Sequence, residues 1–414
     1  MSLTPLELAT GIVFGATRAS LPRATLAPDA ALEAAVAGAV RGGRCFVSFS
    51  GGRDSSAVLA AATAVARREG VPDPVPLSLR VHDVPQSHES DWQERVVAHL
   101  GLADWVRVEI GDELDCVGPY ARRALSRHGL LWPFNAHFHT PLLELAAGGT
   151  LLTGIGGDEL WLSAAAPHER VRRRALRAAP FALRRAVLAR RQPIGFPWLR
   201  DEARRQARLA AAGDDAATPR SPRRRMEHSR GMRYTAVGTA ALALLAADAG
   251  AEIAHPLLDL GLWAAVAHAA PFDRRDAALA AVAGALLPPE LVARRTKAGF
   301  DGAFFNAHAR AFAAGWDGRA APAGGAAEWD GRAAPASGAA EWDGRGANAS
   351  GATQRDGRAA APPGVPYALV DPGALRAHWL RAETPDPHSL TLLQAAWLAS
   401  AGDRVEQPAG RLGQ

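Results

Sequence analysis

A strand that ends in two glycines and continues as a helix constrains this chain more than any other feature. Residues 45–68 read CFVSFSGGRDSSAVLAAATAVARR: an apolar strand, a polar turn and an alanine-rich helix. In such a turn, Gly51 and Gly52 let backbone N–H groups approach a ligand, and the helix presents its positive N-terminus. Ser50, Ser55 and Ser56 add hydroxyl donors. We expect this turn to bind phosphate or pyrophosphate, although a serine- and glycine-rich helix cap would have a similar sequence.

Asp54 lies within the same turn, where a site for a bare anion would disfavour a carboxylate. Its presence is explained if a Mg²⁺ ion lies between the carboxylate and the phosphates. The spacing also differs from the Walker pattern, which needs Gly-Lys-Ser/Thr. The turn therefore predicts a magnesium-dependent phosphate site of another type.

Strands alternate with helices over the first 160 residues or so. The segments PVPLSLRV, ADWVRVEI and GTLLTGIGGDELW predict three further strands, with helices at about 55–68, 90–100, 117–128 and 141–147. This alternation predicts an α/β fold with a parallel sheet that helices cover on both faces. From about residue 165 to 310 the pattern is helical.

A second glycine turn follows the fourth predicted strand, about 100 residues after the first turn. Residues 153–159 read Thr-Gly-Ile-Gly-Gly-Asp-Glu. Because the carboxyl ends of parallel strands open on one crevice, Asp158 is expected to bind the same metal ion as Asp54. Two acidic glycine turns at strand ends are far more specific than either turn alone.

SGGRDSS resembles the PP-loop of the ATP pyrophosphatases, and together with TGIGGDELW it resembles the synthetase domain of the asparagine synthetase family. That family includes β-lactam synthetases and the macrolactam cyclases of lasso peptides. AHPLLDLGLW and LPPELVARRTKAGFDG are similar to two further family segments, the second of which carries a lysine. The resemblance implies a Rossmann-like, adenine nucleotide α-hydrolase-like sheet domain with a helical C-terminal part.

The resemblance also implies an activity, with ATP and Mg²⁺ as cofactors. Such enzymes adenylate a carboxylate, release pyrophosphate and transfer the acyl group to an amine or ammonia. By position, Ser50, Gly51, Gly52, Ser55 and Ser56 would hold pyrophosphate, and Asp54 and Asp158 would hold Mg²⁺. Thr153, Gly154 and a residue of the second strand such as Leu79 would flank adenosine. Lys297 would be the catalytic lysine that neutralises developing charge.

Composition supports the choice of Lys297 independently. The chain has 46 arginines and this single lysine, so a coding bias toward arginine has spared one position. Arginine and lysine differ in hydration and geometry, and the exception therefore favours a function that arginine cannot perform. Chance survival of one lysine is the alternative.

Two departures from asparagine synthetase stand out. Position 2 is Ser rather than the glutaminase nucleophile Cys, and about 40 residues precede the first turn, so we expect no glutaminase domain. Ile155 occupies the position where asparagine synthetases carry Glu and β-lactam synthetases Tyr. An isoleucine cannot abstract a proton, and the amine must be deprotonated by another group or arrive neutral. These departures favour a tailoring ligase over ordinary asparagine synthesis and leave the acid and the amine open.

Two other functions remain possible from the sequence. Residues 169–233 hold 19 arginines against six acidic residues. This basic segment could serve a PP-loop enzyme that acts on tRNA, could dock an acidic precursor peptide or carrier, or could be solvated helix surface. A nucleotide-binding relative without catalysis is the other alternative, which Ile155 keeps open. We expect a small-molecule or peptide carboxylate substrate, a separate ammonia source or precursor peptide as partner, and neither a membrane nor a nucleic acid as partner.

Location and domain order follow from composition. Only two cysteines, no apolar run of 18 residues and no signal peptide predict a cytoplasmic protein without disulfides. We expect a helical lead-in at 1–43, the synthetase domain at 44–310 and its closing helices at 365–405. Between them, residues 316–361 repeat WDGRAAPAGGAAE-like units every 13 residues. Their Gly, Ala and Pro content predicts a disordered insertion whose tryptophans have no role.

Several single residues are weaker candidates. His137 and His139 are poor metal ligands without partners but could face the substrate. Glu89 and Glu94 could assist catalysis, although solvated helix positions are the simpler expectation. Asp259 is expected to fix the helical layer rather than to react.

Overall fold

The computed structural model describes residues 3–82, 84, 89–164, 179–219, 221–270, 272, 274–294, 296, 299–318, 364–381 and 383–405. Its centre is a five-stranded sheet with the order β3-β2-β1-β4-β5, in which every neighbouring pair is parallel. The strands are β1 Cys45–Ser48, β2 Val75–Val81, β3 Val106–Ile110, β4 Thr150–Leu152 and β5 Glu252–Ala254. The predicted α/β parallel-sheet fold is confirmed.

Helices of the first half connect these strands or precede them. They are α1 Pro5–Thr10, α2 Pro28–Arg41, α3 Arg53–Glu69, α4 Ser90–Leu100, α5 Pro119–His128, α6 Thr140–Leu145 and α7 Gly157–Ala164. Several end at glycines in the left-handed conformation, including Gly70 after α3 and Gly101 after α4. Such glycines stop a helix cleanly, because the left-handed conformation costs them little.

The second half of the described chain is mainly helical, as predicted, apart from β5. Its helices are α8 Phe181–Ala189, α9 Asp201–Ala217, α10 Pro222–Arg230, α11 Arg233–Ala249, α12 Leu260–Ala269, α13 Arg275–Ala283, α14 Pro289–Ala293, α15 Asp301–Phe304, α16 Ala307–Gly315, α17 Pro372–Arg381 and α18 Leu390–Val405. None of the helices in these ranges or before them is long and apolar enough to cross a membrane.

Two buried cores lie on opposite faces of the sheet, because successive side chains of a strand point to opposite sides. Phe46 and Leu151 join one core, and Val47 and Leu152 join the other. The second core takes up α2, α3, α12 and α13, while α9, α16, α17 and α18 belong to the first. Burial on both faces explains why the central strands β1 and β4 are mainly apolar, whereas β3 at the edge of the sheet carries an arginine and a glutamate.

The last described helices pack against the first core. Trp379 of α17 is fully buried, and the amide of Gln394 in α18 donates to the carbonyl oxygens of Cys116 and Phe134 at 2.9 and 2.8 Å. Trp316, the first tryptophan of the repeats, is also buried, with its ring centroid 5.1 Å from that of Trp379. The expectation that the repeat tryptophans have no role was therefore wrong for Trp316. The predicted insertion from residue 319 to 361 lies outside the described residues.

Candidate functional site

The first glycine turn is fixed largely by its own hydrogen bonds. The Ser50 hydroxyl accepts the N–H of Gly52 at 3.3 Å and lies 3.2 Å from the Ser55 hydroxyl. The hydroxyls of Ser55 and Ser56 donate to the carbonyl oxygen of Gly52 at 3.1 and 2.8 Å. The predicted turn residues are therefore brought together between β1 and α3, and Gly52 caps the helix.

Gly51 is the one position of this turn that no other residue can occupy without strain. Its φ of +80° lies in the left-handed region, and an added Cβ would lie 2.8 Å from Cγ of Gln93. The turn is thus pressed against the start of α4. Close approach of this kind requires glycine.

The second glycine turn takes its shape from a segment about 100 residues later. Thr153 is buried, and its hydroxyl is hydrogen-bonded to Nδ1 of His255 at 2.7 Å. Gly156 has a φ of +97°, and a Cβ there would lie 2.4 Å from Cδ2 of Leu258. Residues 255–259, which follow β5, therefore form the wall behind this turn.

The two turns are in direct contact. A Cβ on Gly154 would lie 2.7 Å from the backbone nitrogen of Ser55, and one on Gly157 would lie 2.4 Å from Cγ of Asp54. The reason is strand order, because β1 and β4 are neighbours and both turns follow their carboxyl ends. Such an edge is where ligands bind in open parallel sheets.

The two candidate metal ligands stand at the starts of adjacent helices. Asp54 accepts a hydrogen bond from the indole Nε1 of Trp161 at 2.7 Å, and its carboxylate rests against Gly157, the neighbour of Asp158. Asp158 is paired with the guanidinium of Arg275. Carboxylate oxygens on adjacent turns are donors of the kind that Mg²⁺ takes, because Mg²⁺ is usually held by one or two carboxylates together with substrate phosphates. The donor set therefore fits this ion.

A metal site made of protein ligands alone is not found in the described ranges. No three His, Cys, Asp or Glu side chains there are grouped so that they could hold a metal ion. A magnesium ion that shares its coordination with phosphates and water does not need such a group.

The start of α13 contacts both helices that follow the glycine turns, α3 and α7. Arg53, the first residue of α3, donates to the carboxylate of Asp276 at 2.7 Å, while Arg275 pairs with Asp158 of α7. Adjacent residues of one helix thus contact the two predicted phosphate and metal turns. No local sequence pattern predicts this link, because Arg275 and Asp276 lie about 120 residues beyond the second turn.

His255 contacts the turn that carries Ile155, and His139 lies close enough to His255 to influence its charge. Ile155 donates its N–H to the Thr153 hydroxyl at 3.4 Å, and the same hydroxyl contacts His255. Burial lowers the pKa of both His139 and His255 to about 4, and His139 contributes to the shift of His255. Both side chains are partly exposed. Because their pKa values are about 4, both are uncharged at neutral pH.

His137 has a structural position. It is 2% exposed, and its Nε2 is hydrogen-bonded to the carbonyl oxygen of Leu114 at 2.9 Å. The expectation that it could face a substrate was wrong, whereas His139 remains partly exposed. Asp259 accepts the N–H of Leu262 at 2.9 Å and caps α12, which confirms its predicted structural role.

Glu89 differs most from expectation. It was expected in solvent, yet its side chain is 5% exposed and pairs with Arg294, which is equally buried. Glu94, in contrast, is exposed as expected. The sequence distinguishes the two glutamates only weakly, because Glu89 directly precedes α4 whereas Glu94 lies within it.

Leu79 and Lys297 are the remaining predicted site residues. Leu79 is buried in β2, opposite Val108 of β3, and belongs to the first core. Lys297 lies outside the described residues, although its neighbour Thr296 is described. The assignments of these two residues stay predictions.

A cavity of about 300 Å³ opens beside Asp158. Its lining includes Glu159, whose carboxylate accepts a hydrogen bond from the Tyr234 hydroxyl at 3.1 Å, and the acidic pair Asp214 and Asp215. Burial and the charge of Glu159 raise the pKa of Tyr234. Four carboxylates, one arginine and one histidine line this cavity, and one of the carboxylates, Asp158, is paired with Arg275.

A model of the asparagine synthase family matches residues 28–324, which is most of the chain. The chain belongs to the asparagine synthase family. The match includes both glycine turns, β1 to β5 and the segment around Lys297. No curated protein is significantly similar to the chain. Membership implies ATP-dependent ligase chemistry in general and confirms the family that the two turns predicted.

Proposed function

We propose that this protein is an AMP-forming ligase that adenylates a carboxylate with ATP and transfers the acyl group to an amine or ammonia. The observation that carries the proposal is the contact between the two turns, in which Gly154 lies against Ser55 and Gly157 against Asp54. This contact supports a single site with a phosphate-binding turn and two carboxylates for the accompanying cation. A nucleoside triphosphate with Mg²⁺ is the ligand that needs both the phosphate-binding turn and the carboxylates.

In the proposed reaction, a carboxylate oxygen of the acid attacks the α-phosphorus of ATP. A new oxygen–phosphorus bond forms, the bond to the bridging oxygen breaks, and pyrophosphate leaves with its electron pair. The turn formed by Ser50, Gly51, Gly52, Ser55 and Ser56 would hold the leaving pyrophosphate, helped by the N-terminus of α3. Mg²⁺, when bound by Asp54 and Asp158, would neutralise charge on the phosphates.

In the second step, the amine attacks the carbonyl carbon of the acyl-adenylate and AMP leaves. The amine must lose a proton to an acceptor, which Ile155 cannot be. His255 adjoins the turn that carries Ile155 through its hydrogen bond to Thr153. Burial lowers its pKa to about 4, however, so it is a weak proton acceptor and an amine that arrives neutral is favoured. Lys297 would neutralise charge that develops in either step. Thr153, Gly154 and Leu79 would flank the adenosine.

We propose that the acid is a small-molecule or peptide carboxylate and that the protein itself is cytoplasmic. Part of the basic segment that the alternative of a tRNA-modifying enzyme would use is already paired with acidic residues of the protein. In the basic segment, Arg204 and Arg205 pair with acids of their own helix, and Arg233 pairs with Glu7. Arginines engaged in this way are less able to hold phosphates. An acidic precursor peptide remains a possible partner for the rest.

The test is an ATP–pyrophosphate exchange screen over amino acids and short peptides with free carboxylates. We expect exchange that depends on one class of acid, on Mg²⁺ and on both aspartates. Adenylation that releases pyrophosphate reversibly would produce this result, and the responding acid would identify the substrate class. ATP binding without exchange across the panel would instead favour the non-catalytic relative, and salt-sensitive tRNA binding would favour the tRNA enzyme.

A further inference from the structure

A buried arginine joins the first glycine turn to the segment that precedes Lys297. Arg294 follows α14, and its Nη1 donates to the carbonyl oxygen of Gly51 at 3.1 Å. Its Nη2 donates to a carboxylate oxygen of Glu89, and its Nε donates to the Thr296 hydroxyl at 2.9 Å. One guanidinium therefore holds three separate parts of the chain.

The same side chain is closed off from water. Arg294 and Glu89 are each 5% exposed, and the guanidinium carbon of Arg294 lies 4.8 Å from the ring centroid of Trp92. Trp92 and Glu89 belong to the start of α4, which also presses on Gly51 through Gln93. The Arg294–Glu89 pair thus lies directly behind the turn that is proposed to hold pyrophosphate.

Stability alone does not account for such a pair. Removing two charges from water is costly, and an apolar pair of similar volume is often at least as stable. What apolar side chains cannot supply is a donor that fixes the Gly51 carbonyl. A planar guanidinium supplies several donors in fixed directions, which makes it suited to joining three acceptors.

We propose that Arg294, with Glu89 as its counter-charge, is a positioning residue that fixes the pyrophosphate turn at Gly51 and anchors Thr296, the residue before Lys297. It acts through Gly51 and Thr296 rather than by touching the nucleotide. This inference rests on the proposed function, because it assigns the pair a role in holding Mg-ATP. A preorganised turn binds its ligand more tightly, since less ordering is needed on binding.

The decisive variant is the double substitution Arg294→Met with Glu89→Met. It removes both charges together, so no unpaired buried charge remains, and we expect its urea midpoint to lie closer to wild type than that of Arg294→Met alone. Its affinity for Mg-pyrophosphate and Mg-ATP, measured by calorimetry, should fall at least about tenfold, as when the competent turn is only a tenth populated. Its affinity for AMP should change by less than about threefold, because AMP lacks the pyrophosphate.

Arg294→Lys provides a second variant that keeps the charge. A single ammonium can pair with Glu89 but cannot hold Gly51 and Thr296 in the same fixed geometry. We expect this variant to fold and to show the same selective loss for Mg-pyrophosphate. It keeps the inference testable if the double variant does not fold.

A matched control lies in another part of the fold. Arg233 also joins a buried glutamate, Glu7, to a backbone carbonyl, that of Phe14 at 2.7 Å. Arg233→Met should lower the urea midpoint while leaving affinity for Mg-pyrophosphate unchanged. A loss of affinity in this control equal to that of the Arg294 variants would show that general destabilisation explains both, and would overturn the inference.

Other outcomes are equally decisive. Wild-type affinity for Mg-pyrophosphate in both Arg294 variants would overturn the positioning role while leaving the proposed function intact. An equal loss of AMP affinity would overturn it as well, because the effect would not be specific to the turn. Failure of the wild-type protein to bind Mg-ATP and Mg-pyrophosphate would remove the proposed function and this inference together.

Discussion

The two glycine turns are held in different ways. The first turn bonds mostly within itself, through the hydroxyls of Ser50, Ser55 and Ser56. The second is held by residues far along the chain, with Thr153 bonded to His255 and Gly156 packed on Leu258. The first turn thus bonds mainly within itself, with Arg294 as a distant partner of Gly51, whereas the second takes its contacts mainly from the segment after β5.

This difference bears on what each turn can tolerate. Changes in the first turn should alter ligand binding while the fold survives, because its bonds are local. Changes in the second should disturb both binding and stability, because its contacts are part of the core. Substitutions in the two turns can break or sharpen this comparison.

The largest expected effect is on catalysis, from Asp54→Asn and Asp158→Asn. Each should reduce acid-dependent ATP–pyrophosphate exchange by about 100-fold or more, since a neutral amide binds Mg²⁺ poorly and leaves phosphate charge uncompensated. An asparagine at position 54 can still accept from Trp161, and urea unfolding should therefore change little for that variant. Exchange at the wild-type rate in either variant would contradict the predicted metal site.

A steric substitution in the second turn should come next. Gly157→Ala places a Cβ against the Asp54 carboxylate, so we expect a loss of about 1–3 kcal/mol in the free energy of unfolding together with weaker Mg-ATP binding. Chemical denaturation and calorimetry measure the two effects.

The control for that change is Gly38→Ala on the exposed face of α2, where nothing lies within 4 Å of the added Cβ. Alanine is the better helix former by roughly 0.5–1 kcal/mol, and this variant should be slightly more stable than wild type. If Gly157→Ala behaved like Gly38→Ala, the close contact between the two turns would be wrong.

A smaller effect should distinguish a distant contact from a local one. Thr153→Val removes the part-buried bond to His255 and should cost about 0.5–1.5 kcal/mol in unfolding free energy. Thr63→Val removes only a bond to the Leu59 carbonyl within α3, whose oxygen keeps its helical partner, and should cost less. Equal costs, measured by urea unfolding, would show that the long-range bond to His255 contributes no more than a local bond within a helix.

The last effect appears only in acid. Burial lowers the pKa of His137 to about 4, below its ordinary 6.5, so between these values the unfolded chain binds a proton that the folded chain does not. Stability therefore falls as the pH drops from 6.5 toward 4. His137→Gln should lose less stability than wild type between pH 7.5 and pH 5. Identical pH dependence in urea unfolding would show that this histidine does not contribute.

Much of the fold could be predicted because its signals are local. The strands β1 and β4 have short apolar sequences, β2 and β3 contain β-branched residues, and both turns carry glycine where the backbone or packing requires it. The strand β5 was missed because Glu252–Ala254 is only three residues long and follows a helical pattern. Its existence depends on pairing with β4, which no local pattern reports.

The site could be predicted only in part for the same reason. The turn residues are adjacent in sequence, and their family resemblance was specific. The contacts of Glu89 with Arg294 and of Asp158 with Arg275 join residues more than 100 positions apart. Such pairs arise from packing of α4, α13 and α14 on the sheet, and the charge pattern alone made Glu89 look like surface.

The ladder between β1 and β4 has a mechanical consequence. Phe46 pairs with Leu151 and Val47 with Leu152, so strands that lead into the two turns are neighbours about 4.8 Å apart. The two halves of the site therefore belong to one rigid body, and no hinge can separate them without breaking the sheet. The surrounding helices and loops can change to accept a different acid or amine, while the spacing of the two aspartates stays constant.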